Sequence, residues 1–165
     1  MEAFQPIQAT IVTVSDEVHA GMDGNRAGQL AVELLGRHEV RTHLVVVPDD
    51  IEQIRSAVTD ARQSGSRLVM TSGGTGIGPS DLSVDAIAPL LDYQVPGICE
   101  EIRRRGAATV ASALVSREVA GVIRGNPPTF VITAPGSRGG VRDAIGVLGP
   151  LLGHIVAQLD GAGHI

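Results

Sequence analysis

The chain contains no lysine: all 13 of its basic residues are arginine. A Walker A lysine, a pyridoxal Schiff base and a covalent lysyl–nucleotide intermediate are therefore excluded, because each needs a primary amine. Cysteine is almost as scarce. Cys99 alone permits neither an intrachain disulfide nor a cysteine-cluster zinc or iron–sulfur site, and with no secretory segment recognisable it predicts a reducing, cytoplasmic setting. The aromatics are Phe4, Tyr93 and Phe130, 2% of the chain, and the net charge is −5. Backbone binding to nucleic acid needs excess positive charge and single-strand binding needs stacking platforms, so no nucleic-acid partner is expected. No apolar run approaches the ~20 residues of a membrane span, so no membrane association is expected either.

What is present suits one compact domain over residues 1–165, with 161–165 expected to fray: 43% of residues are hydrophobic and 19% charged. A chain of this size buries roughly 70% of its unfolded surface and needs no staple. Ile7 to Val14 (IQATIVTV) is a β-branched apolar run ending in Ser15 and Asp16, as a buried strand does. After a glycine-containing loop, Leu30, Ala31, Leu34 and Leu35 recur at helical spacing, Thr42 to Val47 reads as a second strand, and Pro48 stops it. Asp50 with Gln53 predicts a capped helix whose face carries Ile51, Ile54, Val58 and Ala61. Gly65 closes it before a third strand, Arg67 to Thr71. This β-α-β-α-β alternation predicts an α/β domain, a mostly parallel sheet flanked by helices in three layers.

Further along, helices are predicted over Ser83–Leu91 and from Pro96-Gly97 to about Arg105. Val119–Arg124 and Thr129–Thr133 read as two strands around a turn, and a last helix runs from near Gly139 past Leu152. Its apolar positions (Ile145, Val147, Leu148, Leu151, Leu152, Ile155, Val156) outnumber what one helix face buries, which is compatible with an oligomer.

In an open α/β sheet, ligands bind beyond the carboxyl ends of the strands. Four junctions gather there: Ser15-Asp16, Asp49-Asp50, Ser72-Gly73-Gly74-Thr75-Gly76 and Pro135-Gly136-Ser137. Three glycines in five residues let successive N–H groups share one concavity, and a following helix start would add a positive dipole end, an arrangement suited to phosphate. The alternative is a plain strand-to-helix turn. Neither the G-x-G-x-x-G spacing nor a P-loop fits. Asp49 and Asp81 flank the same mouth, and two carboxylates beside a phosphate suit Mg²⁺; alternatively they cap helices. Cys99 reads as a small packing residue, the histidines at 19, 38, 43, 154 and 164 as surface or terminal residues, and Arg103-Arg104-Arg105 as a solvated face.

The stretch TSGGTGIGPSD (Thr71–Asp81), with Val14–Asp16, Val47–Asp50, Pro96, Gly97, Glu100, Ser116-Arg117, Val119–Val122 and PGS..GVRD over Pro135–Asp143, resembles the MogA/MoaB family of molybdopterin adenylyltransferases. The resemblance implies a homotrimeric enzyme of molybdenum cofactor biosynthesis, using Mg²⁺ with ATP and molybdopterin as substrates, alongside other proteins of that biosynthesis. It places the family's functional aspartates, implied to be catalytic and Mg²⁺-binding, at Asp49 and Asp81. Ser72, Gly73, Gly74, Thr75 and Gly76 would hold phosphate, with Ser15, Asp16, Pro135, Gly136 and Ser137 lining the same pocket. Ser80 stands where the family usually has arginine, and Asn25 where it is often acidic. The alternatives are a non-catalytic molybdopterin carrier of the MoaB branch and an oligomeric interaction scaffold.

Overall fold

The computed structural model describes residues 5–162, so Phe4, His164 and positions 163–165 of the predicted frayed tail lie outside the described residues. In chain order the elements are β1 (Ile7–Val14), α1 (Asp16–His19), α2 (Arg26–Gly36), β2 (Val40–Val47), α3 (Ile51–Gln63), β3 (Leu68–Ser72), α4 (Ser83–Ile87), β4 (Tyr93–Gln94), α5 (Pro96–Ala107), β5 (Ala120–Ile123), β6 (Thr129–Ala134), α6 (Arg138–Leu148) and α7 (Leu152–Leu159). One six-stranded sheet results, in the order β2-β1-β3-β6-β5-β4. β2, β1, β3 and β6 pair in parallel, while β5 runs antiparallel to both its neighbours.

Strand periodicity sorts the core into two layers. Ala9, Ile11, Leu68, Met70, Phe130 and Ile132 face α2, α5, α6 and α7, while Val12, Val14, Val69 and Val131 face α3 and α4. Because the central strands are covered on both faces, apolar residues occur on both faces of each strand and the polar ones among them are mostly buried threonines. The chain leaves β1 for β2 on one side and returns to β3 on the other, which opens a crevice at the carboxyl ends of β1 and β3.

Local chemistry moves several predicted boundaries. α2 starts at Arg26, before Leu30, because the Asn25 carboxamide accepts from Gly28 N–H at 3.1 Å and caps the helix there. The short α1, unforeseen, is capped by Ser15 Oγ on Val18 N–H. Asp50 caps α3 as expected, accepting from Gln53 N–H at 2.9 Å. Pro89 ends α4 early in a 3₁₀ turn, and Pro150, which has no N–H to give, splits the last helix through a second such turn, Gly149–Leu151.

That last helical stretch, Arg138–Leu159, meets the length and composition of a span, with a mean hydropathy of 1.2, but it carries Arg138, Arg142 and Asp143, is broken at Pro150 and packs as a core helix. Its apolar stripe lies against the sheet: Val141, Ala144, Ile145, Leu148 and Leu152 are buried. The surplus expected to remain for an oligomer is correspondingly small, since Ile145, Val147, Leu148 and Leu152 are consumed by the chain's own core and Leu151 is the exposed member of the set.

Candidate functional site

The glycine loop after β3 is held in a conformation that favours glycine at two successive positions. Gly73 and Gly74 have φ of +107° and +69°, in the left-handed region. A Cβ on Gly73 would run into the Val14 carbonyl oxygen, and one on Gly74 would lie 2.5 Å from Ser83 Oγ. Gly73 N–H donates to Ala134 O at 2.9 Å, which ties the loop to the end of β6, and Ser83 Oγ donates to Gly73 O at 2.6 Å. The N–H groups of Gly74, Thr75 and Gly76 donate to no protein acceptor among the described residues. The expected dipole contribution is corrected: α4 has five residues, and Ser83 N–H at its start donates to Gly74 O at 3.1 Å. The anion-binding capacity of this loop therefore rests on its own N–H groups.

The carbonyl side of the loop is gripped by Arg117. Its N–H donates to Thr75 O at 2.7 Å, its Nε to Gly76 O at 2.8 Å and its Nη2 to Asp81 O at 3.0 Å, with Asp85 Oδ2 at 3.3 Å. Ser116 Oγ donates to Thr75 Oγ1 at 3.0 Å. The guanidinium fork fixes both ends of the turn from its carbonyl side, which leaves the N–H side facing away from Arg117. In the sequence, Ser116-Arg117 carries no signal beyond its part in the family resemblance. Its contact with the loop, about 40 residues earlier in the chain, has no local signal.

Asp81 folds back under the loop. Its Oδ2 accepts from Gly78 N–H at 2.9 Å, and Cβ atoms on Gly76 or Gly78 would lie 2.7 and 2.9 Å from that oxygen, so these glycines make room for the carboxylate. Asp81 lies ahead of α4 and makes no capping bond to it; Leu82 is the residue at the cap position.

Asp49 and Asp16 lock the ends of β2 and β1 together. Asp49 N–H donates to Asp16 Oδ1 at 2.9 Å, and Asp16 N–H donates to Asp49 Oδ2 at 3.3 Å. Asp50, not Asp49, caps α3. Burial raises the Asp49 carboxyl above its ordinary value; Asp16, Glu17 and Asp81 add like-charge repulsion, and the Asp16 N–H opposes them. Asp49 thus feels the charge of Asp81 across the mouth. No set of three His, Cys, Asp or Glu side chains forms a metal cage among the described residues. A donor set of hard carboxylate oxygens with excess negative charge fits Mg²⁺, which takes one or two carboxylates and completes its shell with water and substrate phosphates.

The Pro135–Ser137 loop separates two clefts. On one side, Ser15, Ser72, Gly136, Asn25 and Arg138 line a polar cleft of about 330 Å³. On the other, Pro135, Ser137, Glu118, Arg142 and Asp143 line a cleft of about 470 Å³. Ser137 Oγ caps α6 by accepting from Gly140 N–H at 3.0 Å, and Ser72 Oγ donates to Pro135 O at 3.1 Å. A Cβ on Gly136 would sit 3.1 Å from Gly73 Cα, so the two glycine turns touch. The structure thus brings β1, β3 and β6 termini together as expected, while Gly73 to Gly76, Asp49 and Asp81 stand outside both clefts.

The bland readings hold in most places. Cys99 is 1% exposed, and burial pushes its thiol up to about 12. His19, His38, His43 and His154 are exposed. Arg104 and Arg105 pair with Glu101 on the surface, but Arg103 departs from the solvated face, donating to Glu118 O at 3.0 Å.

Residues 10–154 match the family described as "Probable molybdopterin binding domain". The chain is 35% identical over 158 residues to a "Molybdenum cofactor biosynthesis bifunctional protein" of Chlorobaculum tepidum; the match covers 95% of this chain and 50% of that protein, so the chain spans about half of that relative. It is 31% identical over 157 residues to the "Molybdopterin adenylyltransferase" of Pyrococcus furiosus, covering 94% of this chain and 92% of that one. A solved structure of MogA superposes with a TM-score of 0.85 at 37% identity, covering 92% of this chain and 99% of that one.

Proposed function

Because the chain belongs to the MogA/MoaB family, whose named relatives act in molybdenum cofactor biosynthesis, we propose that it transfers AMP from ATP to the terminal phosphate of molybdopterin. A phosphate oxygen of molybdopterin attacks the α-phosphorus of ATP, the bond from that phosphorus to the bridging oxygen of the β-phosphate breaks, and pyrophosphate leaves. The nucleophile is already anionic, so no base is required. The protein needs to position two polyanions and neutralise their charge. The uncommitted N–H groups of Gly74, Thr75 and Gly76 suit phosphate oxygens, with Ser15, Ser72, Pro135, Gly136 and Ser137 lining the adjoining clefts and Asp16 and Gly73 at the same strand ends. Asp49 and Asp81 are the carboxylates that would hold Mg²⁺, which when bound supplies positive charge to the polyphosphate oxygens.

The observation that carries this reading is the meeting of an arginine-anchored glycine loop with Asp81 under it and Asp49 at the neighbouring strand end, on one sheet edge. Incubating the protein with molybdopterin and Mg-ATP is expected to yield pyrophosphate and adenylylated molybdopterin together. Tight pterin binding with neither product would favour a non-catalytic carrier, a reading supported by the exposed Ser80 where the family usually carries arginine. The proposed setting is a cytoplasmic homotrimer acting beside other proteins of cofactor biosynthesis. Exposed Tyr93, Val110, Leu114 and Val115 offer apolar surface for self-assembly, and light scattering should return a trimer mass.

A further inference from the structure

Glu118 is a buried carboxyl group that the chain satisfies only in part, through Arg103 and the Ser116 hydroxyl. It is 3% exposed, and its Oε2 has no hydrogen-bond partner among the described residues. Arg103, the nearest cation, holds Nη1 3.8 Å from Oε1 and donates to the Glu118 carbonyl oxygen instead. A buried carboxylate in this condition is costly unless donors reach it. Glu118 lines the cleft of about 470 Å³ beyond the Pro135–Ser137 loop. That cleft also has apolar wall from Ile102, Val110 and Ala113, suited to the faces of a flat ring. It shares Pro135 and Ser137 with the edge that carries the glycine loop, so a ligand seated there can extend its phosphate toward that loop.

Building on the molybdopterin reading above, we propose that Glu118 recognises the 2-amino-4-oxopyrimidine edge of the pterin, accepting N3–H on one carboxylate oxygen and the exocyclic 2-amino N–H on the other. That edge presents two parallel donors at the spacing of a carboxylate, the arrangement that makes guanidinium–carboxylate pairs bidentate. A 2-oxo ring turns one donor into an acceptor facing an anion, so Glu118 selects 2-amino rings. Arg103 and Cys99 approach the carboxylate from α5, Asp143 from α6 and the Ser116 hydroxyl from the preceding loop. Burial pushes Glu118 up to about 7, with Arg103 and Ser116 opposing and Asp143 adding to it. Bidentate acceptance needs the ionised form, so pterin affinity should rise with pH through this range.

The test uses two fluorescent probes, pterin (2-amino-4-oxopteridine) and lumazine (2,4-dioxopteridine), titrated into the full chain. Wild type is expected to prefer pterin by about tenfold or more, as a lost hydrogen bond to a charged group predicts. Glu118→Gln, whose carboxamide N–H can face the 2-oxo group, should erase or invert that preference and flatten the pH dependence. Should that variant not fold, wild type alone decides through the loss of its pterin preference below pH about 7. Equal affinity for both probes in wild type, or a preference and pH profile unchanged in Glu118→Gln, overturns the proposal. Pyrophosphate release from molybdopterin and ATP is measured separately. Release without Glu118-dependent discrimination defeats only this inference, and discrimination without release defeats only the transfer reaction.

Discussion

Around the glycine loop, Thr75, Gly76 and Asp81 each offer a carbonyl oxygen to Arg117, whereas one residue further along the chain Glu118 keeps a carboxylate oxygen without any partner. Both regions lie at the carboxyl edge, the first partly exposed and the second buried. In the first, the protein satisfies its own polar groups and thereby fixes a shape; in the second, it leaves a strong acceptor unmet, which fits a surface completed by a ligand. A site that must hold two unlike groups, a polyphosphate and a heterocycle, can be divided in this way: rigid preorganised donors for one and a waiting acceptor for the other.

The sharpest way to break this comparison is at Asp81. Asp81→Asn keeps volume and can still accept from Gly78 N–H, but removes the charge facing Asp49 and any bound cation. Adenylyl transfer should fall by orders of magnitude while the thermal transition moves little. Wild-type turnover at limiting Mg²⁺ would show that Asp81 only shapes the loop.

Next in size is Gly73→Ala. Its positive φ and the Val14 carbonyl oxygen together predict a destabilisation of about 3 kcal/mol by denaturant melting. Gly74→Val should also destabilise, because its Cβ meets Ser83.

Glu118→Gln probes the opposite region through stability and pH. The folded carboxyl sits near 7 against an ordinary 4.5, so its protonated form is favoured by folding; stability is highest below 4.5 and declines as pH rises through 7. The substitution should therefore stabilise the chain above pH 7, by on the order of 3 kcal/mol at most, with the gain vanishing under acid conditions. Parallel melts of the two proteins across pH would reveal a constant difference if Glu118 were already ionised and satisfied.

Arg117→Gln, which loses the fork but keeps the backbone bond to Thr75, should cost about 2 kcal/mol and raise the KM for ATP more than it lowers kcat. Asp50→Ala marks the small end of the scale: about 1 kcal/mol from the α3 cap and no change in turnover, measured by melting and by pyrophosphate release.

The parts of this protein whose physics is local were legible from the chain alone. The β-branched runs, the Asp50 cap, the glycines that turn tightly after β3 and the order of the α/β units are each specified within a few residues, because propensity, capping and φ preference act at that range. Helix ends near Asn25, Pro89 and Pro150 were legible in principle from the same chemistry, though their effect on boundaries emerged only in the fold. What tertiary structure decided are relations between distant residues: the Asp16–Asp49 lock, the reach of Arg117 across to the glycine loop, the two clefts beside Pro135–Ser137 and the burial of Glu118. No periodicity or spacing encodes these, since a glutamate beside an arginine-bearing turn reads as an ordinary surface pair until β5 is packed against β6 and α5 closes over it.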